Sequence, residues 1–116
     1  MGMALFAEDL VPIIANATGW DFDVADFRKA GERIFNLARM FNIREGCSRE
    51  DDTLPERLLK EPMDNGPAKG LVVDLEPLLD AYYEMRGWDI TSGKPTMAKL
   101  EELSFNDDIV QLGVSR

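Results

Sequence analysis

GERIFNLARMFNIREGCSREDDTLP, residues 31–55, is the stretch on which the fold turns. It opens as an amphipathic helix. Ala30, Ile34, Leu37, Ala38 and Phe41 follow the spacing of a buried stripe, and Arg28, Glu32, Arg33, Asn36 and Arg39 take the other side. The pattern then breaks into a polar loop, Arg44-Glu45-Gly46-Cys47-Ser48-Arg49-Glu50-Asp51-Asp52, closed by Thr53-Leu54-Pro55. Phenylalanine, leucine and isoleucine recur among these polar residues. The loop is therefore expected to fold against the rest of the domain or a partner surface.

Upstream, Asp23 is placed as the N-cap of this helix, with Asp26 in capping-box position, so the helix is expected over about 24–42 and the polar loop over 43–54. A shorter helix precedes it, from about Leu5 to Ala17. Proline is tolerated near a first turn, so Pro12 moves the expected start of its regular part to Asp9. It stops at Thr18-Gly19-Trp20-Asp21, with Gly19 suited to the left-handed position and Trp20 expected to fold back on the last turn.

Downstream, Pro55 to Lys60 reads as one or two helical turns with Pro55 at the first helical position. Residues 61–73 read as a loop. EPMDNGPAKG is rich in proline and glycine and is the expected site of mobility or proteolytic nicking, and Leu71-Val72-Val73 is too short to support a sheet. Asp74 is expected to cap a third main helix with Pro77 in its first turn and Leu75, Leu78, Leu79, Tyr82 and Met85 as its apolar stripe. Arg86-Gly87-Trp88-Asp89 ends it with the same stop device, Trp88 packing on Tyr83. Thr96 caps a last helix, Met97 to Leu103, and the ending from Phe105 reads either as a short helix on Ile109, Val110 and Leu112 or as a frayed tail. The expected fold is all-α: four or five helices with long irregular loops in a single domain, 1–116.

Composition narrows the chemistry. The chain has 116 residues, 45% hydrophobic and 30% charged, and a net charge of −9. That is one globular domain able to bury an ordinary core, and its charge argues against nucleic acid or an anionic membrane as partner. No apolar run approaches the roughly 20 residues of a membrane span, and Met1 to Phe6 lacks the features of a signal peptide or a myristoylation site. A soluble, cytoplasmic protein is expected. Histidine is absent and Cys47 is the single cysteine. A conventional zinc site, an internal disulfide, a Cys–His pair and a Ser–His–Asp triad are thereby excluded within the chain.

A family pattern runs through the same residues. Gly31-Glu32-Arg33-Ile34, Asn36-Leu37, Phe41-Asn42, Arg44-Glu45-Gly46, Arg49, Asp51-Asp52 and Leu54-Pro55 are followed in order by Glu61-Pro62, Leu75 through Asp80, Tyr82-Tyr83, Arg86-Gly87-Trp88-Asp89, Gly93, Pro95-Thr96 and Lys99-Leu100. This ordered set, spanning roughly Ala15 to Leu103, resembles the carboxy-terminal region of the aldehyde ferredoxin oxidoreductase family. The resemblance implies a C-terminal helical domain of a much longer enzyme. Members hold a tungsten (sometimes molybdenum) bis-pterin and a [4Fe–4S] cluster, and oxidise aldehydes to carboxylic acids with ferredoxin as acceptor. A β-rich amino-terminal domain forms the base for the pterin, and two mainly helical domains enclose it. The CxxCxxxC cluster motif and the DxxGLC-like pterin motif have no counterpart here, so the resemblance carries over fold and context but no cofactor ligand.

The tempting residues have plainer readings. One cysteine cannot hold an iron–sulfur cluster, and Cys47 is read as a small packed side chain. Asp51-Asp52 with Glu45 and Glu50 resembles a hard-cation site, but capping of the Pro55 helix and pairing with Arg44, Arg49 or Arg57 is favoured, over an acid/base role as well. Tyr82-Tyr83 and Trp88 could stack a ligand, yet their spacing favours core and cap packing. Arg28-Lys29, Arg33 and Arg39 are read as a solvated or interdomain face. No catalytic, cofactor-binding or metal residue is assigned.

The leading expectation is a C-terminal domain that helps enclose the cofactor and shape the substrate channel, inactive alone, with the remaining domains and, through them, ferredoxin as partners. The Met1-Gly2-Met3 opening, on a helix without an upstream cap, hints at the edge of an excised piece. The alternative is a stand-alone helical interaction or regulatory module derived from that family. An excised domain should leave an apolar patch bare, involving Phe6, Ile13, Ile14, Met40 and Phe41, whereas an independent module should cover that face, for instance by self-association.

Overall fold

The computed structural model describes residues 6–105. They are all-α: α1 (Ala7–Thr18), α2 (Val24–Arg44), a 3-10 turn (Arg49–Asp51), α3 (Glu56–Lys60), α4 (Leu75–Arg86) and α5 (Met97–Glu102), with no strand among the described residues. The expected helix start at Leu5 and the ending at 106–116 lie outside them. The chain forms two compact units, Met1–Ala38 and Arg39–Arg116.

In the first unit, the Asp9 carboxylate accepts the Phe6 N–H at 3.0 Å, and α1 begins at Ala7 rather than at Asp9. Pro12 therefore sits inside the helix. It cannot supply the i+4 donor to the Glu8 carbonyl, the usual cost of an interior proline. The start of α2 is the reciprocal box expected. Asp26 N–H donates to Asp23 Oδ1 at 2.9 Å, and Asp23 N–H donates to Asp26 Oδ2 at 3.3 Å. Arg28 reaches Glu8 at 2.8 Å, an exposed pair of little energetic weight.

The stripe expected on α2 is inverted. Ile34, Leu37 and Phe41 are exposed, as are Ala30 and Ala38, while Asn36, Met40 and Ile43 are buried. Asn36 donates through Nδ2 to the Glu32 carbonyl at 2.9 Å, which satisfies a buried amide inside its own helix. The apolar face is thus the bare one. On α4 the same happens in part: Leu78 and Met85 are exposed, and Tyr83 is the buried residue.

Three helices stop at a left-handed glycine: Gly19 (φ 74°), Gly46 (φ 99°) and Gly87 (φ 69°). At the end of α2, Gly46 N–H donates to the Ile43 carbonyl and Cys47 N–H to the Asn42 carbonyl at 2.9 Å, a Schellman motif. Pro55 stands at the N-cap of α3 and not at its first helical position, and neither it nor Asp74 makes a side-chain cap bond. Thr96 does cap α5, its Oγ1 accepting the Lys99 N–H at 3.2 Å.

Met40, Ile43, Tyr83, Trp88, Leu100 and Leu103 form the buried apolar set of the second unit. Residues 87–96 close a tight turn beside it, with Asp89 N–H donating to the Lys94 carbonyl at 2.7 Å and Thr96 N–H to the Gly87 carbonyl at 3.1 Å. The 61–73 loop is tied back by its own backbone. Met63 N–H donates to the Leu71 carbonyl, Gly70 N–H to Met63, and Val73 N–H to Leu58.

Candidate functional site

The densest polar constellation lies in the second unit, around Arg39. Helix α2 carries this guanidinium inward, with its side chain 9% exposed. Its Nε donates to the Gly93 carbonyl at 2.9 Å and its Nη1 to Asp52 Oδ1 at 2.8 Å, while Nη2 donates to Asp52 Oδ2, a bidentate fork. The Tyr83 hydroxyl donates to the same Asp52 oxygen. The guanidinium also lies 4.8 Å from the Trp88 ring centroid, within cation–π range.

Arg49 builds a second layer. It lies 5.2 Å from the Tyr83 ring centroid and donates to the Ile90 carbonyl at 2.8 Å, to Glu76 at 2.6 Å, and contacts Asp80 at 2.7 Å. The 3-10 turn holds both acidic neighbours in place. Asp51 turns back to accept the Ser48 N–H at 2.8 Å, which leaves Asp52 pointing at Arg39. Gly93 admits the approach because it has no side chain. A Cβ there would stand 2.4 Å from Arg39 Nη2, and its φ of 69° is left-handed.

The electrostatics follow from this geometry. Burial works against the Asp52 carboxylate, but hydrogen bonds from Arg39 and Tyr83 and the charges of Arg39 and Arg49 outweigh it, holding the carboxyl below its usual range. Burial likewise opposes the Arg39 charge and is overcome by Asp52, so the guanidinium is held more firmly protonated than usual. Burial, and then the bond to Asp52, push the Tyr83 phenol up to about 12. Three groups thus satisfy one another. The arrangement is a clamp joining the polar loop, α2, α4 and the 87–96 turn of this unit, and it offers no free base or acid near neutrality.

Several sequence expectations change here. Arg39 is half-buried and paired within its own unit, so it does not stand on a solvated face. Asp52 pairs with Arg39 instead of Arg44, Arg49 or Arg57, which bond Glu45, Glu76 with Asp80, and Glu61 respectively. Asp51 caps its own turn, not the Pro55 helix. Cys47 is exposed rather than packed, because its backbone serves the stop of α2. Met40 is buried and drops out of the expected bare patch, whereas Phe6, Ile13 and Phe41 are exposed. Tyr83 and Trp88 pack in the core with ring centroids 5.7 Å apart, and Arg86 lies over the half-buried Tyr82 ring at 5.3 Å. Sequence reading missed Gly93 and Arg39 as a contacting pair, and no local signal marks residues 54 apart.

The donor set does not fit a metal or cluster. Among the described residues no group of three or more cysteine, aspartate or glutamate side chains converges, and the single thiol is exposed. A groove elsewhere on the second unit is bordered by Arg57, Leu58, Lys60, Met63, Leu71 and Val72, a different set from the clamp.

Comparison with known proteins places this architecture. The pattern of the family described as aldehyde ferredoxin oxidoreductase, domains 2 & 3, matches residues 2–105. The tungsten-containing aldehyde ferredoxin oxidoreductase of Pyrococcus furiosus is 46% identical over 111 residues, covering 90% of this chain and 18% of that protein. Its namesake in Pyrococcus abyssi is 44% identical over 115 residues (93% and 19%), and that of Thermococcus kodakarensis 44% over 111 residues (90% and 18%). The chain therefore spans less than a fifth of the length of these curated relatives.

Proposed function

The chain belongs to the aldehyde ferredoxin oxidoreductase family, and from that membership we propose that it is the C-terminal helical part of an aldehyde:ferredoxin oxidoreductase. In that enzyme it helps enclose a tungsten (or molybdenum) pterin and shape the substrate channel, while aldehydes are oxidised to carboxylic acids with ferredoxin as acceptor in the cytoplasm. The observation that carries the reading is identity of 44–46% along nine-tenths of the chain to one continuous fraction of a far longer tungsten enzyme.

Within this reading we assign no catalytic, cofactor-binding or metal residue to the chain, and alone it catalyses nothing. The redox chemistry is supplied by the bound tungsten and iron–sulfur groups, whose ligands belong to the rest of the enzyme. What this chain's own residues supply is rigidity. Arg39, Asp52 and Tyr83 fix one unit without leaving a reactive proton, and the described helices contain none long and apolar enough to cross a membrane.

A chimera tests this. The matching stretch of the Pyrococcus furiosus enzyme is replaced by this chain, and aldehyde-dependent ferredoxin reduction is followed. Retained activity within about tenfold of the parent, with tungsten and iron still bound, is expected. An inactive chimera that folds and carries both metals would contradict the channel role.

A further inference from the structure

The 61–73 loop holds the chain's one Asn-Gly pair, Asn65-Gly66; the other asparagines are followed by Ala17, Leu37, Ile43 and Asp107. Residues 61–70 are all exposed. The backbone bonds of the loop pass around the pair. Gly66 offers its carbonyl to the Lys69 N–H at 3.2 Å, while the N–H groups of Met63, Gly70 and Leu71 donate to Leu71, Met63 and Ala68. Among the described residues, neither the Gly66 N–H nor the Asn65 side-chain amide has a protein partner. A Cβ on Gly66 would meet nothing within 4 Å beyond its chain neighbours, so this backbone faces open space. An asparagine Cγ and the next amide nitrogen can close a five-membered imide ring. Closure is favoured where that nitrogen is free of a hydrogen bond and its residue has no Cβ to hinder the approach. The other described asparagines do not meet these conditions. Asn16, Asn36 and Asn42 lie within α1 and α2, where the following N–H is committed to the helix ladder.

We propose that Asn65-Gly66 is a site of spontaneous modification, with water as the co-reactant. The Gly66 nitrogen bonds to Asn65 Cγ, the Cγ–Nδ2 bond breaks, and the Gly66 amide proton leaves with Nδ2 as ammonia. Water then opens the succinimide at either carbonyl. Breaking the new bond leaves aspartate at position 65. Breaking the original peptide bond leaves isoaspartate, with the main chain running through Cβ and Cγ. Either product sets a carboxylate beside Asp64 on the border of the groove that Arg57, Lys60 and Met63 also line, and makes the net charge of −9 one unit more negative. Isoaspartate also lengthens the backbone by one methylene ahead of the Gly66–Lys69 turn.

The test ages the purified chain in buffer, and in parallel in urea. It follows the tryptic peptide Glu61–Lys69 by liquid chromatography and mass spectrometry, against synthetic peptides with aspartate or isoaspartate at position 65. A freshly purified sample sets the background from digestion. In the folded chain Asn65 is expected to convert at least about tenfold faster than Asn16, Asn36 or Asn42, and within about fivefold of its own rate in urea, with isoaspartate as the major product. Gly66→Ala should slow conversion about tenfold in both conditions, so the comparison holds whether or not the variant keeps the loop. A folded rate more than about fivefold below the urea rate would overturn the proposal, because the loop would then shield the pair. Aspartate without isoaspartate, which bypasses the imide, would overturn it as well. So would Asn65 converting no faster than the helical asparagines, or a Gly66→Ala chain converting as fast as the parent.

Discussion

Gly-Trp-Asp occurs twice, at residues 19–21 and 87–89, and the two copies end differently. Both glycines are left-handed, so both helices stop. At the first, Gly19 N–H donates to the Ala15 carbonyl, the simple left-handed motif, and Trp20 is 66% exposed with its ring edge-on to Phe22. At the second, Gly87 N–H donates to Glu84 and Trp88 N–H to the Tyr83 carbonyl at 2.9 Å, a full Schellman motif, and Trp88 is 5% exposed.

The residue before the glycine accounts for the local difference. Thr18 Oγ1 donates to the Ile14 carbonyl at 2.7 Å and accepts the Trp20 N–H at 3.2 Å, drawing that N–H away from the helix. Arg86 has no such acceptor. The larger difference is tertiary: Trp88 has Arg39, Tyr82 and Tyr83 around it. A stop signal is local, whereas the fate of its tryptophan belongs to the surroundings.

The sharpest break of this contrast is truncation of each ring. Trp88→Ala should cost about 3–5 kcal/mol, as for a buried aromatic, and Trp20→Ala less than about 0.5 kcal/mol, as for a surface residue. Urea unfolding measures both, and equal costs would refute the contrast.

Next comes the clamp beside Trp88. Asp52→Asn should cost about 2 kcal/mol through lost charge-assisted bonds and shift the emission of a Trp20→Phe variant, in which Trp88 is the remaining tryptophan. Asp52 titrates lower in the folded protein than unfolded, so its stabilisation is present at neutral pH and lost as pH falls below about 4. Tyr83 acts in the opposite sense. With its phenol raised from 10.0 to about 12, its contribution is complete below pH 10 and lost between these values. Trp88 emission should follow both limbs, and Trp20 emission, recorded in Trp88→Phe, neither beyond global unfolding.

Gly19→Ala should cost about 1–2 kcal/mol, the left-handed penalty for a residue with a Cβ, and Gly87→Ala more, because a Cβ there would also lie 3.3 Å from the Lys99 side chain. Thermal melts measure both, and a larger loss at Gly19 would contradict the contrast. The smallest effect is Thr18→Ala, a few tenths of a kcal/mol. It frees the Trp20 N–H, whose amide proton should move toward the shift of a helix-bonded one.

What could be read without the structure divides along the same line. The Asp23–Asp26 box, the Thr96 cap and the glycine stops were legible because each is closed by residues no more than five apart. Trp88 on Tyr83 was legible for the same reason. The pairing of Arg39 was not, since its partners Asp52, Tyr83 and Gly93 lie 13, 44 and 54 residues away. Nor was the sidedness of α2: its period gave the two faces correctly, but which face is covered depends on surfaces beyond the helix. Gly46 was not legible as a stop, because it stands inside the polar run 44–52, where no change of pattern marks the helix end.

If this chain supplies helical structure to an enzyme whose redox groups are held elsewhere, the purified chain should bind none of those groups. Elemental mass spectrometry with visible absorption on the purified chain tests it most directly. No stoichiometric tungsten, molybdenum or iron and no pterin or iron–sulfur absorption is expected. Stoichiometric metal would contradict it, and Cys47 with the Asp51-Asp52 turn would be the first positions to substitute.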